Sequence, residues 1–135
     1  MTIKRITRDE DYRNHYPRVR EWLLKALEYT DEFDERTILK GLIEDRFQLW
    51  VTDNAVCVTE IAEEANVRFC NLIVVAGERG KSLREVMIEG QGAVIAWAKA
   101  NACVQLKGTP RKEWTRILVR DGFQITDRNE SYKEI

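Results

Sequence analysis

The 135-residue sequence has few of the side chains that bind metals or build disulfide frameworks. It contains one histidine, His15, and three cysteines, Cys57, Cys70 and Cys103, without a Cys-x-x-Cys pair. A zinc site takes about four such ligands at short spacing, and a disulfide framework needs an even number of cysteines. We therefore expect neither. Each cysteine lies in a strand-like run, where a thiol behaves as a small buried hydrophobe.

Long apolar runs and an excess of one charge are also missing. No run approaches the roughly 18 apolar residues of a membrane span. Residues 1–6 have no signal-peptide core and alternate like a strand. Lys and Arg (22) balance Asp and Glu (23), for a net charge of −1, so a general attraction to membrane or nucleic acid is not expected. The composition predicts a single domain, residues 1–135, located in the cytoplasm.

Hydrophobic periodicity predicts the order β, α, α, β, β, β, α, β, α, β, β. The predicted strands cover residues 2–7, 47–52, 55–61, 67–75, 104–106, 123–126 and 131–135. The first predicted helix begins at Asp9, and the second is capped by Asp34 and has the apolar stripe Ile38, Leu39, Leu42 and Ile43. The third helix covers 82–101, and the fourth has Pro110 in its first turn and Gly122 at its end. Pro17 either begins or kinks the first helix. Gly90 and Gly92 should weaken the helix over 82–101 by roughly 1 kcal/mol each.

This order predicts an α/β (α+β) fold. A hairpin-rich first half followed by a βαβ crossover indicates a mixed, mostly antiparallel sheet of about six to seven strands with helices on both faces.

The stretch 71–84, NLIVVAGERGKSLR, combines a buried strand, a basic turn with a glycine, and the start of a helix. The first N–H groups of a helix have no intrahelical partner, and the helix dipole adds partial positive charge there. Arg79 and Lys81 strengthen that field. The stretch therefore predicts an anion site.

Three features of the sequence resemble the GCN5-related N-acetyltransferase (GNAT) superfamily. Arg79-Gly80-Lys81 is similar to the start of that superfamily's acyl-CoA pyrophosphate loop. The distance from Arg79 to the strand over 104–106 matches its usual spacing, and the segment 117–123, ILVRDGF, resembles the end of its last core helix. The resemblance spans essentially the whole chain and implies an acyl-CoA-dependent N-acyltransferase. The implied acyl-CoA contacts are Val74, Val75, Arg79, Gly80, Lys81, Ser82 and Arg84.

The loop departs from the superfamily pattern in its second half, which makes it degenerate. Counted from Arg79, the two positions that are usually small carry Ser82 and Arg84, and arginine is bulky where phosphate approaches the backbone. A second register, through Gly90 and Gly92, restores both glycines. It leaves only residues 93–101 for the helix, which is too short, so we favour the first register.

The residues implied for proton transfer also depart from the pattern. The tyrosine that protonates the CoA thiolate in many members is matched by Leu118, which cannot transfer a proton. Tyr132 is the nearest tyrosine in sequence. Glu60, Glu63 and Glu64, on or beside the third strand, are the candidate bases for the amine, but we favour the interpretation that they are solvated hairpin charges.

Two functions follow from the resemblance. The first is an N-acyltransferase with an unknown amine acceptor. The second is a catalytically degenerate GNAT-like interaction protein with a protein partner. A short segment beginning at Trp114, together with the degenerate loop, resembles small GNAT-like proteins of tailed bacteriophages, which implies a virion-associated role. Nucleic-acid binding is the least favoured reading, because the following basic residues are expected to form a solvated rim: Arg79, Lys81, Arg84, Lys107, Arg111, Lys112 and Arg116.

Overall fold

A computed structural model describes residues 2–135, which fold in the predicted element order. The elements are β1 (Lys4–Ile6), α1 (Asp9–Leu27), α2 (Glu35–Ile43), β2 (Phe47–Val51), β3 (Ala55–Glu64), β4 (Val67–Gly77), a π-helix (Leu83–Glu89), α3 (Gln91–Ala100), β5 (Gln105–Gly108), a 3-10 turn (Lys112–Trp114), α4 (Thr115–Arg120), β6 (Gln124–Ile125) and β7 (Ser131–Glu134). No helix in this part of the chain is long and apolar enough to cross a membrane.

The strands form a seven-stranded sheet in the order β1-β2-β3-β4-β5-β7-β6. Strands β4 and β5 are parallel, from Phe69 opposite Gln105 to Leu72 opposite Gly108, and the chain between them contains α3. Strand β1 is antiparallel to β2, and β7 is antiparallel to both β5 and β6. The predicted fold class, a mixed and mostly antiparallel sheet with a βαβ crossover, is therefore confirmed.

Residue contacts divide the chain into two compact units. The first contains the residues up to Thr59 together with Val74–Gln91, and the second contains Glu60–Ile73 and Gly92–Ile135. The prediction of one domain over residues 1–135 stays a prediction.

In the first unit, α1 and α2 are linked by a hydrogen-bonded carboxylate. The Glu35 carboxylate accepts from the Tyr16 hydroxyl at 2.6 Å and from Nε and an Nη of Arg20 at 2.6 and 2.9 Å. The Arg20 guanidinium and then the Tyr16 hydroxyl hold the pKa of Glu35 below its usual range. Asp34 caps α2 as predicted, since its carboxylate accepts from the Thr37 N–H at 2.8 Å.

Two details of the helix predictions, at Ile43 and Pro110, are wrong, and one of the two alternatives for Pro17 is excluded. Pro17 lies well inside α1 and does not begin it. Ile43, predicted in the buried stripe of α2, is 82% exposed because the helix ends there. Pro110 precedes the last helical segment, which begins with the 3-10 turn at Lys112.

The second unit buries Leu106, Leu118 and Phe123, each 2% exposed or less. All three cysteines of the chain are buried, as their strand-like context predicts. Burial raises the pKa of the Cys103 thiol above its usual value.

Helices α3 and α4 end in the same motif with different residues in the left-handed position. Gly122 has a φ of 95° after α4, and Ala102 has a φ of 63° after α3. In each motif the next residue donates its N–H five residues back: Phe123 to the Leu118 carbonyl at 3.0 Å, and Cys103 to the Ala98 carbonyl at 2.9 Å. The predicted role of Gly122 as the helix-ending glycine is confirmed.

Ala102→Gly should therefore raise the free energy of unfolding, by about 0.5 to 1 kcal/mol, because glycine adopts a positive φ without the steric cost that a Cβ adds. Gly122→Ala should lower it by about 1 kcal/mol for the same reason. Urea unfolding followed by circular dichroism measures both. Equal effects of the two substitutions, in the same direction, would contradict the argument.

Candidate functional site

The chain turns sharply between β4 and the π-helix. The Lys81 N–H donates to the Glu78 carbonyl at 2.9 Å, and Gly80, the third residue of that turn, has a φ of 79°. A positive φ at this position defines a type II turn and favours glycine. A Cβ on Gly80 would meet nothing within 4 Å, so conformation rather than space requires the glycine. We refer to Glu78–Ser82 as the β4 turn.

Strand β4 reaches this turn beyond the end of its pairing with β5. That pairing ends at Leu72 opposite Gly108, whereas β4 continues to Gly77. Val74 is buried at 6% exposure and Val75 is half-buried. The predicted acyl-CoA contacts on the strand therefore lie in the segment that extends past β5.

A tight turn joins β3 and β4. Ala65 and Asn66 both have positive φ, as in a two-residue type I′ turn. At the far end of β4, the Glu78 N–H donates to the carbonyl of Asn54, the residue before β3 begins, at 2.8 Å.

Several N–H groups around the β4 turn have no acceptor within residues 2–135. They belong to Arg79, Gly80, Ser82, Leu83 and Arg84, whereas the Lys81 N–H is used within the turn and the Glu78 N–H donates to the Asn54 carbonyl. Ser82 is 4% exposed, and Lys81 is half-buried. Clustered backbone donors beside lysine and arginine side chains form the kind of concavity that binds anions.

The Arg84 side chain extends along its own helix. Its guanidinium lies 3.5 Å from the Glu89 carboxylate and 3.9 Å from the Glu85 carboxylate, and the side chain is 58% exposed. The Arg84 side chain, which is bulky for its position in the loop, is thus paired with two carboxylates of the π-helix.

Glu85 is a buried carboxylate that ties the π-helix to the turn between β2 and β3. It accepts from the Thr52 hydroxyl at 2.6 Å and from the Asn54 side-chain and backbone nitrogens at 2.9 and 3.2 Å. Burial alone would raise the pKa of Glu85. The hydrogen bonds from Thr52 and Asn54 outweigh burial, and the pKa lies below its ordinary value. Sequence periodicity missed this residue, because it sits between apolar positions of the helix.

The structure separates the predicted site residues into two groups. The strand and loop positions from Val74 to Arg84 all belong to the first unit, whereas Glu60 and Tyr132 belong to the second. Glu60 is partly exposed on β3. The Tyr132 hydroxyl donates to Gln124 Oε1 at 2.7 Å. Leu118, which matches the superfamily's tyrosine, is 1% exposed. No group of three or more potential metal ligands occurs in the described part of the chain.

A cavity of about 390 Å³ lies in the first unit, beside the connection between α1 and α2. Leu24, Leu27 and Phe33 supply apolar lining, and its five carboxylates are Glu28, Asp31, Glu32, Asp34 and Glu35. Two of these already have partners: Asp34 caps α2, and Glu35 is held by Arg20. The backbone N–H and then the hydroxyl of Thr37 keep the pKa of Asp34 below its usual range.

No protein-family model and no curated protein matches this chain. Several solved structures do match it. The PaiA N-acetyltransferase of Thermoplasma acidophilum, in complex with coenzyme A, has 13% identity and a TM-score of 0.64, and all of both chains is covered. A chain of the NatC complex bound to Gag peptide and CoA has 12% identity and a TM-score of 0.67 over 100% of this chain and 99% of that one. N-acetylglutamate synthase from Neisseria gonorrhoeae, complexed with coenzyme A and N-acetyl-glutamate, has 11% identity and a TM-score of 0.61 over 99% of this chain and 35% of that one. The chain thus has the GNAT fold.

Proposed function

We propose that this GNAT-fold protein is an acyl-CoA-dependent N-acyltransferase in which the β4 turn binds the pyrophosphate of the acyl donor. The observation that supports the proposal is the group of backbone N–H donors around Gly80, placed at the end of the strand that extends past β5. Similar structures contain coenzyme A.

The residues of the β4 turn fit a diphosphate. Gly80 is exposed with open space where a Cβ would be, so phosphate oxygens can approach the backbone. Ser82 is small and adds a hydroxyl, and the Arg84 guanidinium is paired with Glu89 and Glu85. Lys81 and Arg79 supply positive charge for charge-assisted hydrogen bonds.

An acyl-CoA supplies an acyl group activated as a thioester. In the proposed reaction, a C–N bond to the amine forms as the C–S bond breaks, the amine loses one proton, and the thiolate gains one. Positioning of the two reactants accounts for much of the catalysis in such a transfer. The β4 segment with Val74 and Val75 is the proposed source of backbone donors to the acyl carbonyl. Glu60 is the proposed base and Tyr132 the proposed acid, since a buried leucine at position 118 cannot transfer a proton.

The test is calorimetric titration with acetyl-CoA and longer acyl-CoAs. We expect a micromolar Kd that weakens with salt, because the interaction is between charged groups. Lys81→Ala should weaken binding by about tenfold, the effect of one lost charge-assisted hydrogen bond. Lys25→Ala is the matched control, since it removes an exposed lysine at the end of α1, and it should leave the Kd unchanged.

Absent or millimolar binding by the unsubstituted protein would overturn the enzyme proposal. The chain would then be assigned to the alternative, a GNAT-fold interaction protein of the kind that its resemblance to phage proteins implies. Equal effects of Lys81→Ala and Lys25→Ala would contradict the role of the β4 turn.

A further inference from the structure

Asn54 contacts both ends of the segment that contains the β4 turn. Its carbonyl oxygen accepts from the Glu78 N–H at 2.8 Å, where the turn begins. Its side-chain Nδ2 donates to Glu85 Oε2 at 2.9 Å, where the turn has passed into the π-helix. One residue of the hairpin between β2 and β3 thus joins the two sides of residues 78–85.

Asn54 is itself held firmly. Its N–H lies 3.3 Å from Thr52 Oγ1 and 3.2 Å from Glu85 Oε1. An Nη of Arg18, on α1, donates to the Thr52 and Asp53 carbonyls at 2.9 and 3.1 Å. A Cβ on Gly77 would collide with the Asn54 carbonyl oxygen, so the end of β4 packs directly against this residue. Asn54 and the two residues before it are therefore held by contacts from α1, the end of β4 and the π-helix.

We propose that Asn54 is a positioning residue for the β4 turn. By fixing Glu78 relative to Glu85, it holds the turn in the conformation that presents its N–H groups to a diphosphate. A loop that is ordered before binding loses less conformational entropy when the ligand arrives, so its affinity is higher. The ligand in this inference, an acyl-CoA, rests on the proposed function, whereas the contacts of Asn54 do not depend on it.

Two substitutions that exchange the donor and the acceptor of the side-chain hydrogen bond between Asn54 and Glu85 test this role. Asn54→Asp places a carboxylate against the Glu85 carboxylate, so the contact becomes repulsive. Adding Glu85→Gln restores one donor and one acceptor: the glutamine oxygen can accept from Thr52 and the residue-54 N–H, and its amide nitrogen can donate to the aspartate. We expect Asn54→Asp to weaken acetyl-CoA binding by about tenfold and the double variant to recover to within about threefold of the original Kd.

Hydrogen exchange of the Lys81 amide supplies a second measurement that needs no ligand. This N–H donates within the turn to Glu78, so its protection reports whether the turn is formed. Exchange should be faster in Asn54→Asp and return to the original rate in the double variant. Ile38→Val, at a fully buried position of α2, is the stability control; it should change neither the Kd nor Lys81 exchange.

The outcomes separate this inference from the proposed function. Unchanged binding and exchange in Asn54→Asp would overturn the inference, as would a double variant no better than Asn54→Asp. If the unsubstituted protein binds no acyl-CoA, the proposed function fails. Lys81 exchange then decides alone: reversal by the double variant supports the positioning role, and its absence overturns it.

Discussion

Gly90→Ala should lower the free energy of unfolding by about 2 kcal/mol, the effect of inserting a methyl group where there is no room. A Cβ at this position would lie 2.7 Å from the Glu85 carbonyl oxygen, 3.1 Å from that of Val86 and 3.0 Å from Ile3 Cδ1. The two carbonyls belong to the backbone of the π-helix and cannot rotate away. The substitution should therefore force the π-helix to rearrange.

Gly92→Ala is the matched control two residues further along. Gly92 lies within α3, and a Cβ there would meet nothing within 4 Å. Alanine is favoured over glycine in a helix by up to about 1 kcal/mol, so this variant should be more stable than the original protein. Urea unfolding of both variants measures the contrast. A Gly90→Ala protein as stable as Gly92→Ala would show that the close approach at Gly90 imposes no constraint.

These two glycines show what sequence periodicity could and could not predict. Periodicity predicts one continuous helix over 82–101, with both glycines as weak points. The structure instead has a π-helix and α3, separated at Gly90. A π-helix places residues four and five apart on one face, so its apolar pattern resembles that of an α-helix over a single turn. The wider turn leaves Ile88 44% exposed and buries Glu85.

Local signals were sufficient for the element order and for the ends of several elements. The Asp34 cap and the terminating Gly122 depend on chemistry within a few residues, and the strand-turn-helix stretch from Val74 to Arg84 is a local pattern. The support of the β4 turn is different. Asn54 and Glu85 are 31 residues apart, and nothing within either segment indicates that they meet. The roles of Glu60 and Tyr132 stay predictions, since they depend on the resemblance alone.

Glu85→Gln should lower the free energy of unfolding by about 2 kcal/mol at pH 7, because hydrogen bonds to a carboxylate are roughly twice as strong as those to a neutral amide. The glutamine oxygen can still accept from the Thr52 hydroxyl and the Asn54 N–H, without the charge, whereas the hydrogen bond from the Asn54 side-chain nitrogen is lost because the glutamine nitrogen is itself a donor. Glu89→Gln, on the same helix at a side chain that is 62% exposed, is the matched control. It should change stability by about 0.5 kcal/mol or less, as exposed ion pairs do.

The loss of stability caused by Glu85→Gln should become smaller as the pH falls. The pKa of Glu85 is lower in the folded protein than its ordinary value of 4.5, so the unfolded chain binds the proton more readily as the solution becomes acidic. The stabilisation is complete above the unfolded pKa and is lost as the pH falls through the folded one. Urea unfolding from pH 7 down to pH 3 should therefore show the original protein and Glu85→Gln converging in acid. A difference that stays constant over this range would mean that the carboxylate charge does not stabilise the junction between Asn54 and the π-helix.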